Sequence, residues 1–315
     1  MTEAPRAVSG DQHELAFGDY RACVASVGGG LRTFRCRDRD LVVPYAAGEE
    51  RPAMRGALLA PWPNRTRDGR YEFGGATHQL AVNEPERVTA LHGLVADLDF
   101  RATAHDAARV ALAGMIEPRP GYPWRVALEV VYTLGATGLT HAVTATNLSA
   151  DVAPVGIGVH PYVLAGPERP HAVDDWLLEM PAETVMLVTP DRLLPERIVP
   201  VHTHDGGSLD YRESRRIGGA RLNHAYTGLR RDADGVARIR VTDGAGRGVE
   251  LGLDRAYRWA HVYTSDEVAD GRPRNGLAVE PTTCPPDALN SGVDLWALGP
   301  GESARATWTM RALDA

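Results

Sequence analysis

In Trp124-Arg-Val126-Ala-Leu128-Glu-Val130-Val-Tyr132-Thr-Leu134-Gly135-Ala-Thr-Gly138, every second residue from Val126 to Leu134 is apolar. Successive side chains of an extended backbone point to opposite faces, so this spacing gathers the five on one side of a half-buried strand. Gly135-Ala-Thr-Gly138 turns the chain into a second β-like run, Leu139 to Asn147, and Val155 to Val159 forms a third that leads into His160. The same period recurs on both sides. Ala237, Ile239 and Val241 share a face before the hairpin signal Asp243-Gly-Ala-Gly-Arg-Gly248, and Val249, Leu251 and Leu253 resume it. Ala304, Ala306, Trp308, Met310 and Ala312 form another such face. Towards the N-terminus, short apolar runs from Leu15 to Val43 alternate with turn signals such as Gly28-Gly-Gly30. Ala60-Pro-Trp-Pro-Asn64 reads as a rigid connector, and Asp68-Gly69 as a turn feeding the strand Arg70–Phe73. Strands at roughly ten-residue spacing predict an all-β chain, a large antiparallel β-sandwich. Residues 1–14 are small and polar and read as a flexible N-terminal tail. With no linker, repeat or low-complexity segment beyond them, 15–315 reads as a single domain.

The bulk composition agrees. Of 315 residues 43% are hydrophobic, enough for a large core, and 33 Gly with 22 Pro suit a turn-rich β protein. A net charge of −7 argues against nucleic acid or an anionic membrane as partner. No apolar run approaches the roughly 18 residues of a membrane span, and Met1–Gly18 lacks a secretory pattern, so a cytoplasmic location is expected. Cys23, Cys36 and Cys284 have neither the number nor the spacing of a disulfide framework or a zinc knuckle. All 34 basic residues are arginine. Schiff-base aldolase chemistry, a pyridoxal-phosphate linkage and the P-loop lysine all need an ammonium that this chain does not carry.

Leu277-Ala-Val-Glu280-Pro-Thr-Thr-Cys-Pro-Pro-Asp-Ala-Leu-Asn-Ser-Gly292 places a carboxylate at the close of an apolar run with a proline directly after it. Proline cannot donate to a ladder and holds its predecessor extended, so Glu280 is expected on a stiff backbone at a strand's end. Val155-Gly-Ile-Gly-Val-His160-Pro-Tyr-Val163 repeats the arrangement with a histidine. A desolvated carboxylate and an imidazole on two rigid strand ends form an acid–base pair. A turn-capping Glu and a core His are the plain alternatives. His92, in Leu91-His-Gly93, could donate to a ligand oxygen, and Gly93 permits close approach. Asn64 and Arg65 follow Pro61 and Pro63, and the planar fork of Arg65 suits an oxygen or a diol. His202-Thr-His204-Asp205 lacks a third distant ligand for a metal, Gly28–Gly30 lacks a following helix, and Ser291 lies in a turn without a nucleophile elbow.

Together these segments resemble the aldose 1-epimerase (galactose mutarotase) family. The matching pieces are Pro63-Asn64-Arg65 with Asp68–Phe73, Leu91-His92-Gly93, Gly156–Tyr162, Leu222-Asn223-His224-Ala-Tyr-Thr-Gly-Leu229 and Ala278–Ala288, in family order. The resemblance implies a galactose mutarotase-like supersandwich with a sugar cleft on one sheet, a monosaccharide substrate and no cofactor. It also implies that Glu280 is the general base on the anomeric hydroxyl and His160 the acid on the ring oxygen, the two meeting across one pyranose. Arg65, His92, Asn64 and Asn223 would bind the sugar. Asn223 departs from the family pattern, which has Asp before the His. An asparagine accepts at one atom and donates at the other, so an altered hydroxyl preference is expected. Val163 and Thr66 are milder departures. A hexose-6-phosphate 1-epimerase using Arg67 and Arg70, and a sugar-binding protein without turnover, remain alternatives on the same fold.

Overall fold

The structure, a computed structural model, describes residues 6–267 and 271–314. Two large antiparallel sheets contribute to one hydrophobic core. In the first, of nine strands, Val126–Gly135 pairs with Gly138–Asn147, which pairs with Ser303–Leu313, which pairs with Gly248–Leu253. The period-2 reading holds: Val126, Leu128, Val130, Tyr132 and Leu134 are all buried. Across the next ladder His141 and Trp308 stand opposite, and the Trp308 indole N–H donates to His141 Nδ1 at 2.8 Å. His141 is fully buried, and burial pushes its imidazole down to about 3.

That pair gives a stability prediction. A histidine whose folded pKa is depressed contributes stability above the unfolded value near 6.5, lost as pH falls through about 3. His141→Leu should cost about 1–3 kcal/mol at pH 7 by orphaning the indole N–H. It should also flatten the decline in stability between those two pH values. Urea unfolding at a series of pH values reads both effects.

The second sheet has eight strands, with Ala182–Val188, Asn223–Leu229, Trp259–Tyr263 and Leu277–Thr282 adjacent in that order. Cross-strand partners share a face, so the register sorts their residues into two rows. Val185, Tyr226, Ala260 and Pro281 form one row. Val185, Tyr226 and Ala260 belong to the main core. Met186, Ala225, His261 and Glu280 form the other row. On that second face Met186, Ala225 and Trp259 make a small apolar cluster of their own. The carboxylate therefore faces away from the main core.

Two local expectations are corrected. The first strand, Gln12–Phe17, begins inside the stretch read as a tail, and Ser9 ahead of it is buried, its N–H donating to Ala47 O at 3.0 Å. Polar composition hid this because Ser9 and Gln12 satisfy their polar groups internally, the Gln12 amide donating to Ser9 Oγ and Gly10 O. The run Val155–Val159 is not one strand but two, Ala153–Val155 and Gly158–Val159. Between them the chain yields to the proline connector: a Cβ on Gly156 would meet Cys284 Sγ at 2.4 Å, and one on Gly158 would meet Pro63 at 2.8 Å. Among the described residues no helix is long and apolar enough to cross a membrane.

Candidate active site

The Glu280 strand, Leu277–Thr282, pairs on one side with Trp259–Tyr263 and on the other with the two short segments flanking His160. Glu280 does not end its strand; pairing continues through Pro281 to Thr282. What is interrupted there is the ladder towards the His160 segment, which resumes with Gly158 opposite Thr282. Val279 N–H donates to Pro161 O and Thr283 N–H to Ile157 O, but Pro281 between them has no N–H to give. His160 N–H is drawn elsewhere, to Ala57 O at 3.0 Å. Two prolines thus open the sheet where Glu280 and His160 stand.

There His160 Nε2 lies 3.3 Å from Glu280 Oε1, with both side chains buried. The sequence-predicted acid and base are brought into direct contact. Burial raises the Glu280 carboxyl to about 8, with Arg65 working against the rise. Burial lowers the His160 imidazole to about 4. Between those values the pair holds one proton, and burial favours the neutral form, carboxylic acid beside neutral imidazole. His160 stacks on Tyr162, with centroids 5.0 Å apart and planes 11° from parallel, and meets His92 edge-on at 5.3 Å. Glu280 Oε2, His160 Nδ1, His261 Nδ1 and Thr282 Oγ1 are buried without a hydrogen-bond partner. Orphaned polar atoms are rare in protein interiors, and a group of them on one face marks a place where a polar ligand can be received.

Asn64, Arg65 and His92 come together through a second, two-stranded piece, Arg65–Arg67 paired with Thr89–Leu91. Asn64 and His92 both adopt left-handed backbone, at φ 56° and 63°. Asn64 settles there by accepting the Arg65 N–H on its own Oδ1 at 2.9 Å. The Asn64 N–H donates to His92 Nδ1 at 3.2 Å, and the His92 N–H returns to Asn64 O at 2.9 Å. With Nδ1 accepting, neutral His92 carries its proton on Nε2. Burial, followed by the charge of His160 and Arg65, holds His92 well below its ordinary pKa, so it stays neutral. Gly93 serves backbone rather than ligand: a Cβ there would lie 2.1 Å from Ala60 O.

Asn223 stands beside the site through a residue that sequence reasoning missed. Its Oδ1 is 2.8 Å from His261 Nε2, and His261 is the cross-strand neighbour of Glu280. Burial, then Arg65, keeps His261 far below its ordinary pKa, so a neutral imidazole links Asn223 to the pair. A signal was available: in Trp259-Ala-His261-Val-Tyr263 the small residues Ala260 and Val262 fall on one face and Trp, His and Tyr on the other. Further along this face a cavity of about 690 Å³ opens, lined among others by Arg67, Arg70, Met186, Ile198 and Asp287. It does not include Glu280 or His160, so the sequence-predicted Arg67 and Arg70 line a cavity separate from the pair.

The sequence model of the aldose 1-epimerase family matches residues 11–311. The uncharacterized protein YihR of Escherichia coli K12 is 33% identical over 94% of this chain and 92% of its own. Two crystal structures share the fold. The GalM/aldose epimerase homologue from C. elegans has a TM-score of 0.82 at 19% identity, covering 96% of this chain and 99% of its own. Galactose 1-epimerase from Lactobacillus acidophilus NCFM has 0.76 at 18%, covering 99% and 98%. With the family's pattern extending over nearly the whole chain and the strands falling into its supersandwich, this protein belongs to the aldose 1-epimerase family.

Proposed function

We propose that the protein is an aldose 1-epimerase that interconverts the α and β anomers of a free monosaccharide, with Glu280 and His160 as its proton-transfer pair. The observation that carries this is their 3.3 Å contact between two buried, oppositely shifted groups. No pyranose fits between side chains that close, so the expectation that they meet across the ring is revised. The sugar lies over the pair. The hydroxyl oxygen and the ring oxygen are bonded to the same anomeric carbon, and a touching acid and base can address both at once.

Proton accounting needs only the one proton the pair already holds. In the charge-separated form the Glu280 carboxylate takes the proton from the anomeric hydroxyl while the His160 imidazolium gives its own to the ring oxygen. The bond from the anomeric carbon to the ring oxygen breaks and a carbonyl forms. The pair is left as carboxylic acid and neutral imidazole, the form that burial favours. Rotation about the C1–C2 bond presents the other carbonyl face, and the reverse transfers close the ring. His92 Nε2–H and Arg65 would steady the oxygens during opening, with Asn64 holding both in place and Asn223 reading a hydroxyl. The cavity that carries Arg67 and Arg70 excludes Glu280 and His160, and Arg67 is already paired with Asp287 at 3.6 Å, which favours a neutral sugar over a phosphorylated one.

Polarimetry of freshly dissolved α-aldoses tests the reading. The expected result is faster approach to anomeric equilibrium, undiminished by competing sugar 6-phosphate; unchanged rates across a panel of aldoses would remove it. The pH dependence carries its own signature. kcat/KM should be bell-shaped, falling below about 4, where both groups are protonated, and above about 8, where neither is. Asn223→Asp tests specificity. It should reorder KM values among aldoses by roughly tenfold, the worth of one hydrogen bond, with kcat little changed.

A further inference from the structure

Glu84 lies in Asn83-Glu84-Pro-Glu-Arg87-Val-Thr89, a loop to which neither the sequence reading nor the proton-transfer step assigns a role. Its carboxylate is buried and receives four hydrogen bonds. Arg65 Nε donates to Oε2 at 2.7 Å and Arg65 Nη2 to Oε1 at 2.8 Å. Thr89 Oγ1 donates to Oε2 at 2.6 Å and Arg87 Nη1 to Oε1 at 3.1 Å. The loop is closed on itself, since Glu84 and Thr89 exchange backbone N–H to O bonds at 3.2 Å in both directions. Thr89 begins the strand that pairs with Arg65–Arg67 and delivers His92. A bidentate grip on Nε and Nη2 fixes the plane of a guanidinium and turns the remaining Nη1 edge away from the carboxylate.

We propose that Glu84 is a positioning residue for the epimerase reaction, setting the plane of Arg65 toward the sugar and cancelling its charge so that the Glu280–His160 pair keeps a single proton through the neutral range. This rests on the functional reading above. The physical need is plain. Arg65 is close enough for its charge to pull Glu280 down and to disfavour protonation of His92 and His261. The charged and titratable groups about Glu280 are Arg65 from the two-stranded piece, His160 across the opened ladder with His92 of that same piece against its ring, and His261 from the neighbouring strand. Those about Glu84 are Arg65 and Arg87, and Arg87 is shared with the exposed Glu86 at 3.3 Å. Arg65 and Glu84 are each about nine-tenths buried, so water screens little of this. Without Glu84 an unopposed cation would favour the deprotonated pair.

Two variants separate charge from position. Glu84→Gln keeps the size and removes the charge; both limbs of the kcat/KM profile should move to lower pH, by about one unit. Thr89→Val keeps the shape and the Glu84 charge but removes one of the bonds holding the carboxylate. KM should then rise about fivefold, with kcat and both limbs where they were. A lesion that merely loosened the fold would lower thermal stability without moving the limbs. Folded Glu84→Gln with wild-type limbs, or Thr89→Val with wild-type KM, overturns the proposal. Should Glu84→Gln fail to fold, the KM of Thr89→Val decides alone. A wild type that accelerates no aldose removes the functional reading and this proposal with it; an active wild type with unmoved variants removes only the proposal.

Discussion

Glu280→Gln is expected to lower kcat/KM for mutarotation by roughly 10²–10⁴, the range for loss of a general acid–base group. The same change should stabilise the protein. A group whose folded pKa is raised contributes stability fully below its unfolded value and loses it as pH rises through the folded value. Here the unfolded carboxyl titrates near 4.5 and the buried one at about 8. At pH 7 the wild type therefore gives up roughly 3 kcal/mol, 1.36 per unit between 4.5 and 7, to keep the buried acid protonated. Gln has no such proton to hold. Urea unfolding at pH 7 should show the gain and unfolding at pH 4 should not, while polarimetry shows the activity gone at both. Lost activity with lost stability would mean that Glu280 is structural.

His160→Asn should cost roughly 10²–10³ in kcat/KM, and the double variant with Glu280→Gln should be scarcely worse than either single change. In the proposed mechanism both residues handle one shared proton, so removing either disables the same step. The stack of His160 on Tyr162 and its edge contact with His92 would also go, and a modest rise in KM is expected from the shifted His92. Independent, multiplying losses in the double variant would show that the two groups act separately, contrary to their 3.3 Å contact.

Much of this site was legible in the chain because its residues sit beside stiff backbone. Glu280 precedes a proline, His160 precedes another, and Asn64 and Arg65 follow two more. His261 and Glu84 were not legible in the same way. His261 gains its place from being the cross-strand neighbour of Glu280, and Glu84 from a grip on Arg65 across a loop. Apart from the alternation that sets His261 on one face with Trp259 and Tyr263, neither relation leaves a local mark. The broken run Val155–Val159 was misread for a similar reason, since the interruption comes from Pro63 and Cys284 packing onto Gly156 and Gly158.

The chain alone determined where strands form, because the two-residue alternation of apolar side chains is a property of neighbouring residues and survives without any tertiary context. It also determined which carboxylate, imidazoles and donors were available and that lysine chemistry was not. Only the folded sheets decided which face Glu280 occupies, that His160 touches it, and where their shared proton rests. Register aligns residues far apart in sequence, and the pKa shifts arise from burial, which exists only once the sheets have closed over their core.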